Sequence, residues 1–348
     1  ALLNKTSSIA SAYWIDDNMF RFHEDGDTFA YLAPGTDNYK NLEYMVEHCD
    51  EVISYNPMIS EDCSRYNPHI FELSTNIPSQ YLLEKTSPED GRIHFAVFSG
   101  NVRQEIFAEL WAALEKLTKR YADRIDITFW GLDPSQYAPL TCPVYHQPFT
   151  HSYDRYLDNL RNAFFHFQIC PLGVRKTDRS KSPVKYLEGT AAGAVCLVSN
   201  EQPYDMLPED CCIKVENTVD DWYQALCTAV EMPEDARLTI YRQAYAHIQQ
   251  KYTTESQAVS FISALESAQL HHHLQGKAIC YMIHEAYLGG ATLHLFRHAM
   301  LMKSLHFKVI FCLQDSYAHV PDFEEYAQKR GVDTVHYLHC RKSVEPVP

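Results

Sequence analysis

The chain has 348 residues, enough at about 150 residues per domain for two domains with cores of their own. Its 30 Lys and Arg stand against 45 Asp and Glu, a formal net charge of −15 that excludes a duplex-nucleic-acid binder and a polybasic membrane-surface protein. Hydrophobic residues at 46% and charged residues at 22% exclude a disordered chain, and no run approaches the roughly 18–20 apolar residues of a membrane span.

The predicted elements begin with a strand over 12–15, followed by Asp16-Asp17. A helix near 38–48, a strand over 51–55 and a short strand over 70–73 come next. The start, Ala1-Leu2-Leu3-Asn4-Lys5, lacks the charged-then-apolar pattern of a signal peptide. A linker falls near Ser87-Pro88-Glu89-Asp90-Gly91.

The clearest stretch follows. Ile93 to Phe98 is a short apolar run ending in Ser99-Gly100-Asn101, a strand and then a turn. Ile106, Leu110, Leu114, Leu117 and Tyr121 lie three or four residues apart, which predicts a helix with one buried face. A strand over 125–130 is closed by Gly131, a helix fits 153–162, and an apolar run over 164–170 meets Pro171. Pro183 to Ala192 reads as a helix with Ser182 as N-cap and Pro183 in the first turn. Gly193 stops it before the buried strand 194–199. A strand over 212–215 and helices near 219–230, 234–250 and 256–268 complete the unit. Strands alternating with helices predict a parallel, doubly wound sheet. The final segment, after a linker near 268–276, has a strand over 277–283, Gly289-Gly290, a helix through Leu293, Phe296, Met300 and Leu301, and a strand over 307–313.

In such a sheet ligands bind at the carboxyl ends of the strands, where helix N-termini present free N–H groups. The segment after Pro171 fits best. Arg175, Lys176, Arg179, Lys181 and Lys185 stand against Asp178 alone, beside a predicted helix start, so local charge and backbone dipoles both favour a phosphate.

Lys181 to Tyr204, KSPVKYLEGTAAGAVCLVSNEQPY, resembles the nucleotide-sugar motif of group-one GT-B glycosyltransferases: a loop entering a helix, a Glu five residues before a Gly, a buried strand and a polar loop. Tyr153 to Leu172 looks like that family's helix and strand ending in Pro-Leu, and Phe98-Ser99-Gly100-Asn101 like its first strand and turn. The resemblance covers about 93–265. It implies an α/β, GT-B-like fold of two Rossmann-like doubly wound parallel-sheet domains, one complete and one split between the N- and C-terminal flanks.

The expected division is 1–90 as a partial acceptor-side domain, 91–268 as the nucleotide-sugar-binding domain, and 277–348 as the first half of an acceptor-side domain. Tyr13-Trp14-Ile15-Asp16-Asp17, Asn56-Pro57, Asn67-Pro68-His69 and Leu73 to Pro78 look like parts of the acceptor-side domain, and Tyr287 to Thr292 like its opening Gly-Gly loop. That loop follows the donor domain instead of preceding it. The order implies either a circular permutation or a segment of a protein with tandem transferase modules. Residues 277–348 would then complete the domain begun by 1–90 within one chain or between two, as a homodimer.

Residue by residue, the resemblance implies catalytic roles for Lys181, Arg175 and Glu188. Glu188 would accept hydrogen bonds from the ribose diol, while Lys181, Lys185 and Arg175 neutralise the diphosphate. Ser182, Pro183 and Val184 would supply the helix N-terminus, and Gly100, Asn101 and Arg103 would reach phosphate after the first strand. Phe149 to Tyr153 lies where the family holds the base, and Gly289 and Gly290 would let backbone approach the donor phosphate. The family often has a first Glu eight residues before the second; here position 180 is Ser.

The implied activity moves a sugar from a nucleotide-diphosphate donor to a glycan or lipid-linked acceptor in surface polysaccharide or glycoconjugate synthesis, with retention. No metal and no cofactor are expected, the nucleotide sugar being a substrate. Two alternatives stay open: a nucleotide-sugar epimerase of similar fold, and a non-catalytic α/β interaction module. The 11 cysteines include no Cys-x-x-Cys pair, so reduced buried thiols in a cytoplasmic protein are expected, with Cys211-Cys212 in strand packing. His271-His272-His273 reads as a flexible linker, since contiguous histidines cannot all face one ion, and Asp16-Asp17 as an acidic pair without metal. No Gly-x-Ser-x-Gly elbow supports a hydrolase. His23, His146 and His284 lie near strand ends or loops, where each is either a base or a structural residue.

Overall fold

Six strands build the main sheet of the computed structural model, which describes residues 10–88, 90–99, 104–274, 277–283, 290–305, 307–314 and 320–337. The strands are β4 (Ile93–Phe98), β5 (Ile125–Trp130), β6 (Val144–Gln147), β7 (Phe167–Cys170), β8 (Val195–Ser199) and β9 (Ile213–Val215), in spatial order β6-β5-β4-β7-β8-β9. All pairings are parallel, with Phe98 beside Trp130 and Phe95 beside Phe167 in register. Connections leave the central β4 in one direction and return to β7 on its other side, so the order reverses between β4 and β7. That reversal opens a crevice at the carboxyl ends of the strands.

Strand periodicity divides the core into two layers. Phe95, Val97, Ile127, Phe129, Val195 and Leu197 face one cluster, packed by α3 (Gln104–Tyr121) and α7 (Val219–Glu231). Ala96, Phe98, Trp130, Cys170, Cys196 and Val198 face the other, packed by α4 (Tyr153–Asn162), α6 (Val184–Ala191) and α8 (Glu234–Lys251). The edge strand β6 has no counterpart in the sequence reading. Its Val-Tyr-His-Gln is short and mostly exposed, so it carries neither an apolar run nor a clean alternation.

The chain divides into two units. The larger, Tyr13–Glu47 with Val52–Ala264, holds this sheet and most of a small one, β1 (Ala12–Ile15), β2 (Glu51–Ser54) and β3 (Ile70–Glu72), flanked in sequence by α1 (Asp37–His48) and α2 (Pro57–Cys63). Strands β2 and β3 run parallel, and Ile53 and Leu73 pack on Ala264 of α9 (Thr254–Leu274). The smaller unit, which takes in His48–Glu51 and the chain from Leu265 on, carries the parallel strands β10 (Ala278–Ile283), β11 (Lys308–Gln314) and β12 (Asp333–Tyr337). Its core is built on Phe296, Phe311 and Phe323, the first and last from α10 (Gly290–Ser304) and α11 (Val320–Gln328).

The three histidines expected in a flexible linker are instead the last turn of α9. His271 Nδ1 lies 2.8 Å from the buried Glu51 carboxylate and His272 Nδ1 3.2 Å from Asp50, contacts that hold this stretch helical. No described helix is long and apolar enough to cross a membrane.

Candidate active site

At the carboxyl ends of β4 and β5, Phe98, Ser99, Trp130 and Gly131 form one wall of a cavity of about 290 Å³. Phe149, Thr150, His151, Tyr153 and Tyr156 form a second, and Lys185 and Glu188 of α6 close it. The site therefore sits where the strand order reverses, as doubly wound sheets require.

The helix that carries the polar pair starts one residue later than expected. The Pro183 carbonyl accepts from the N–H groups of Tyr186 (3.0 Å) and Leu187 (3.4 Å), so Pro183 is the cap residue and Ser182 makes no cap bond. Lys185 and Glu188 are three residues apart and share a face. Glu188 is 8% exposed and accepts a hydrogen bond from the Tyr156 hydroxyl at 3.1 Å. Burial pushes its carboxyl up to about 7, against the opposing pull of the Tyr156 hydrogen bond and the Lys185 charge. Burial likewise lowers the half-buried Lys185 ammonium. The same burial, with the Glu188 charge nearby, raises the Tyr156 and Tyr153 phenols. Tyr153 and Phe149 remain half exposed at the mouth, Phe149 edge-on to His151 at 5.3 Å.

Close packing under the helix fixes the height of Glu188. A Cβ on the next residue, Gly189, would lie 2.0 Å from Gln168 Oε1 and 2.7 Å from Cys196 Sγ. Only glycine lets α6 approach β7 this closely.

The basic loop looks different in three dimensions. Lys181 Nζ lies 2.5 Å from Asp17, Lys176 Nζ 3.6 Å from Glu24 and Arg179 2.9 Å from Glu201. Carboxylates distant in sequence thus neutralise much of the charge excess read from the sequence. Lys181 and Arg175 are not among the cavity-lining residues, whereas Lys185 is and makes no ion pair among the described residues. The structure brings together Phe149, Tyr153, Lys185 and Glu188, with Ser182, Pro183 and Val184 at the head of α6. Gly100, Asn101, Arg103 and Gly289, with His284, lie outside the described residues, and Gly290 is the first residue of α10. Sequence reasoning missed Tyr156 and Trp130. One turn beyond Tyr153 on the same helix, Tyr156 had a signal in its spacing; Trp130, at a strand end, had none.

A wider cleft of about 430 Å³ lies at the opposite, amino edge of the sheet, lined by Asp90, Arg92, His94 and Asp126. Arg92 bonds the Ile125 carbonyl, and His94, Asp90 and Asp126 answer one another. His94 Nδ1 is 2.9 Å from Asp126 and its Nε2 is 3.0 Å from Asp90, so both nitrogens face acceptors, which favours the imidazolium and raises its pKa, mainly through the Asp126 bond. The neighbouring His166 accepts the His94 backbone N–H at Nδ1, 3.0 Å away, and burial lowers its pKa to about 4. Among the described residues, no group of three or more His, Cys, Asp or Glu is arranged to hold a metal.

No protein-family model matches the chain, and no curated protein matches it by sequence. Solved structures do. The chain is similar to TarM with a TM-score of 0.53 and 15% identity, over 74% of this chain and 50% of TarM. It is similar to an α,α-trehalose-phosphate synthase (UDP-forming) from Burkholderia xenovorans, in complex with glucose-6-phosphate, with a TM-score of 0.53 and 10% identity, over 76% of this chain and 70% of that one. A trehalose-6-phosphate synthase studied for glycosyl transfer with retention gives 0.53 at 12% identity, over 76% and 70%. The chain spans about half the length of TarM. The fold is therefore that of the GT-B glycosyltransferases, a mixed α/β architecture with parallel sheets.

Proposed function

We propose that the protein is a glycosyltransferase that moves a sugar from a nucleotide-diphosphate donor to a glycan or lipid-linked acceptor, in surface polysaccharide or glycoconjugate synthesis. The observation that carries this reading is the buried Glu188 with the half-buried Lys185 beside it, in a cavity at the strand-order reversal of a GT-B fold. A buried carboxylate with a pKa near 7 is costly for folding, and a ribose diol, which donates two hydroxyls, is the partner that repays it. Phe149 and Tyr153 at the mouth suit the faces of a base.

In the reaction the bond from the anomeric carbon to the diphosphate oxygen breaks. A bond to the acceptor oxygen forms, and the acceptor hydroxyl loses its proton. The main task is to stabilise charge developing on the diphosphate. Lys185 is the first candidate, joined by Lys181, Arg175 and the head of α6 at residues 182–184, where Ser182 and Val184 carry N–H groups and Pro183 carries none. Cations and dipoles suffice for that task, which supports a metal-independent reaction; retention is the outcome named for a trehalose-6-phosphate synthase of the same fold. The ten described cysteines are all free thiols, which fits the cytosol, where nucleotide sugars are made. We assign 91–268 to the donor-binding domain, and 1–90 and 277–348 to parts of acceptor-side domains, permuted or from a tandem module; the parallel pairings β2–β3 and β10–β11–β12 support that division.

A thermal-shift panel of UDP, GDP, CDP, ADP and dTDP tests the reading. A ligand that binds only the native state raises the melting temperature, and one nucleotide is expected to stand out. Failure of all five to shift it overturns the proposal.

A further inference from the structure

We propose that Asn56 is a positioning residue for the basic loop: its carboxamide forks onto the two carbonyls that flank Ser180 and so aims Lys181. The proposal rests on the reading of Lys181 as a cation for the donor diphosphate.

The loop needs outside donors. Its helix, α5 (Lys176–Arg179), is a single turn whose backbone bonds engage the Lys176 and Asp178 carbonyls, while those of Arg179 and Lys181 are met by Asn56. Asn56 Nδ2 donates to Arg179 O at 2.9 Å and to Lys181 O at 3.0 Å. Its Oδ1 accepts the Met58 N–H at 2.8 Å, capping α2, and the residue is 2% exposed. The carboxamide is thereby fully used. Asn18 repeats the arrangement from another segment, donating from Nδ2 to Ser180 Oγ at 3.1 Å and to Asp62 at 3.0 Å. Ser180 is wholly buried, and its hydroxyl donates a hydrogen bond to Lys176 O at 2.6 Å.

The nitrogen of Asn56 separates positioning from capping. An N-cap needs only a side-chain oxygen, and Asp or Ser would cap α2 as well. Neither would supply two donors to a loop more than 120 residues away in the chain. With the backbone clamped on both sides of Ser180 and its Nζ 2.5 Å from Asp17, Lys181 is held in the segment that leads into α6, two residues before the Pro183 cap. An uncertainty of about 1 Å in such a group is enough to cost a large factor in rate.

Asn56→Ser keeps an oxygen for the cap and removes the fork without burying a charge; Asn56→Asp keeps the cap and turns the fork into an acceptor. Each is made in the wild-type and Lys181→Ala backgrounds. The readouts are UDP affinity by calorimetry and UDP release from UDP-sugars, with melting temperature measured in parallel. Asn56→Thr, a second cap residue without the amide donors, serves if the other Asn56 variants fail to fold. The expected result is a loss of about tenfold in UDP affinity and turnover in the wild-type background, and of less than about twofold once Lys181 is gone, as coupling through one residue requires. Equal losses in the two backgrounds, or no loss in the first, overturn the role of Asn56 while leaving the transferase reading intact. Wild-type protein that binds none of the five nucleotides overturns both.

Discussion

The two edges of the six-stranded sheet hold ionisable groups on opposite terms. At the amino edge His94 stands between Asp90 and Asp126, and each charge is answered within 3.0 Å. At the carboxyl edge Glu188 and Lys185 line a cavity with their pKa values drawn toward neutrality, and the Tyr156 phenol is the one hydrogen-bond donor to Glu188 among the described residues. Buried charge that is internally satisfied stabilises a fold; buried charge left short of partners marks where a ligand completes the set. The larger of the two clefts is therefore the less informative one.

Removing the carboxylate is the strongest way to break this contrast. Glu188→Ala should weaken the preferred nucleotide on the order of 100-fold, the worth of two hydroxyl bonds to a charged acceptor at roughly 1.5 kcal/mol each. Calorimetric titration checks it. An unchanged affinity would show that the cavity binds something other than a ribose.

The pH profile sharpens the contrast, because the two edges titrate in different windows. Glu188 has a pKa raised from 4.5 to about 7, so the native state holds its proton more tightly than the unfolded chain. Its contribution to stability is greatest below pH 4.5 and declines as pH rises to about 7, by about 3 kcal/mol over the interval. His94 is also raised, from 6.5, so its ion pairs contribute fully below pH 6.5 and are lost as pH climbs through the higher native value. Denaturant unfolding from pH 5 to 9 should show the acid-side slope vanish in Glu188→Gln and the alkaline one in His94→Gln. Nucleotide affinity should move against the first slope, rising toward pH 7 as the carboxylate ionises.

Packing under the site comes next in size. Gly189→Ala forces a methyl against Gln168 Oε1 and Cys196 Sγ and should cost about 2 kcal/mol of stability, as overpacked cores do. The measurement is the denaturation midpoint, and Gln168→Ala in the same chain should recover most of the loss.

Much of this was legible in the sequence because strand and helix periodicities are local. The apolar runs at 93–98, 125–130 and 194–199 and the four-residue spacing through Leu110 and Leu114 each report burial within their own segment. Glu188 was legible only through the resemblance to a nucleotide-sugar motif, and Lys185 through that resemblance and the run of basic residues beside a predicted helix start. The pairing of Lys181 with Asp17 and of Arg179 with Glu201 was not, since counting charges along a loop says nothing about carboxylates that folding brings to it. The helical His271–His273 failed likewise: their partners, Asp50 and Glu51, lie more than 200 residues earlier in the chain.

The smallest expected effect is the most discriminating. His94→Gln removes an imidazolium whose side chain is 16% exposed and leaves Asp126, 6% exposed, with a single amide donor. Stability at pH 6 should fall, since a buried carboxylate short of its partner is costly, and the gap to wild type should narrow as pH climbs through the raised native value of the imidazole. Nucleotide affinity at pH 7.5 should stay within about twofold of wild type, because the sheet separates His94 from Glu188 and distant sites act independently. A larger loss of affinity would mean that the amino-edge charges are tied to the donor cavity, and the separation of a structural edge from a binding edge would have to be given up.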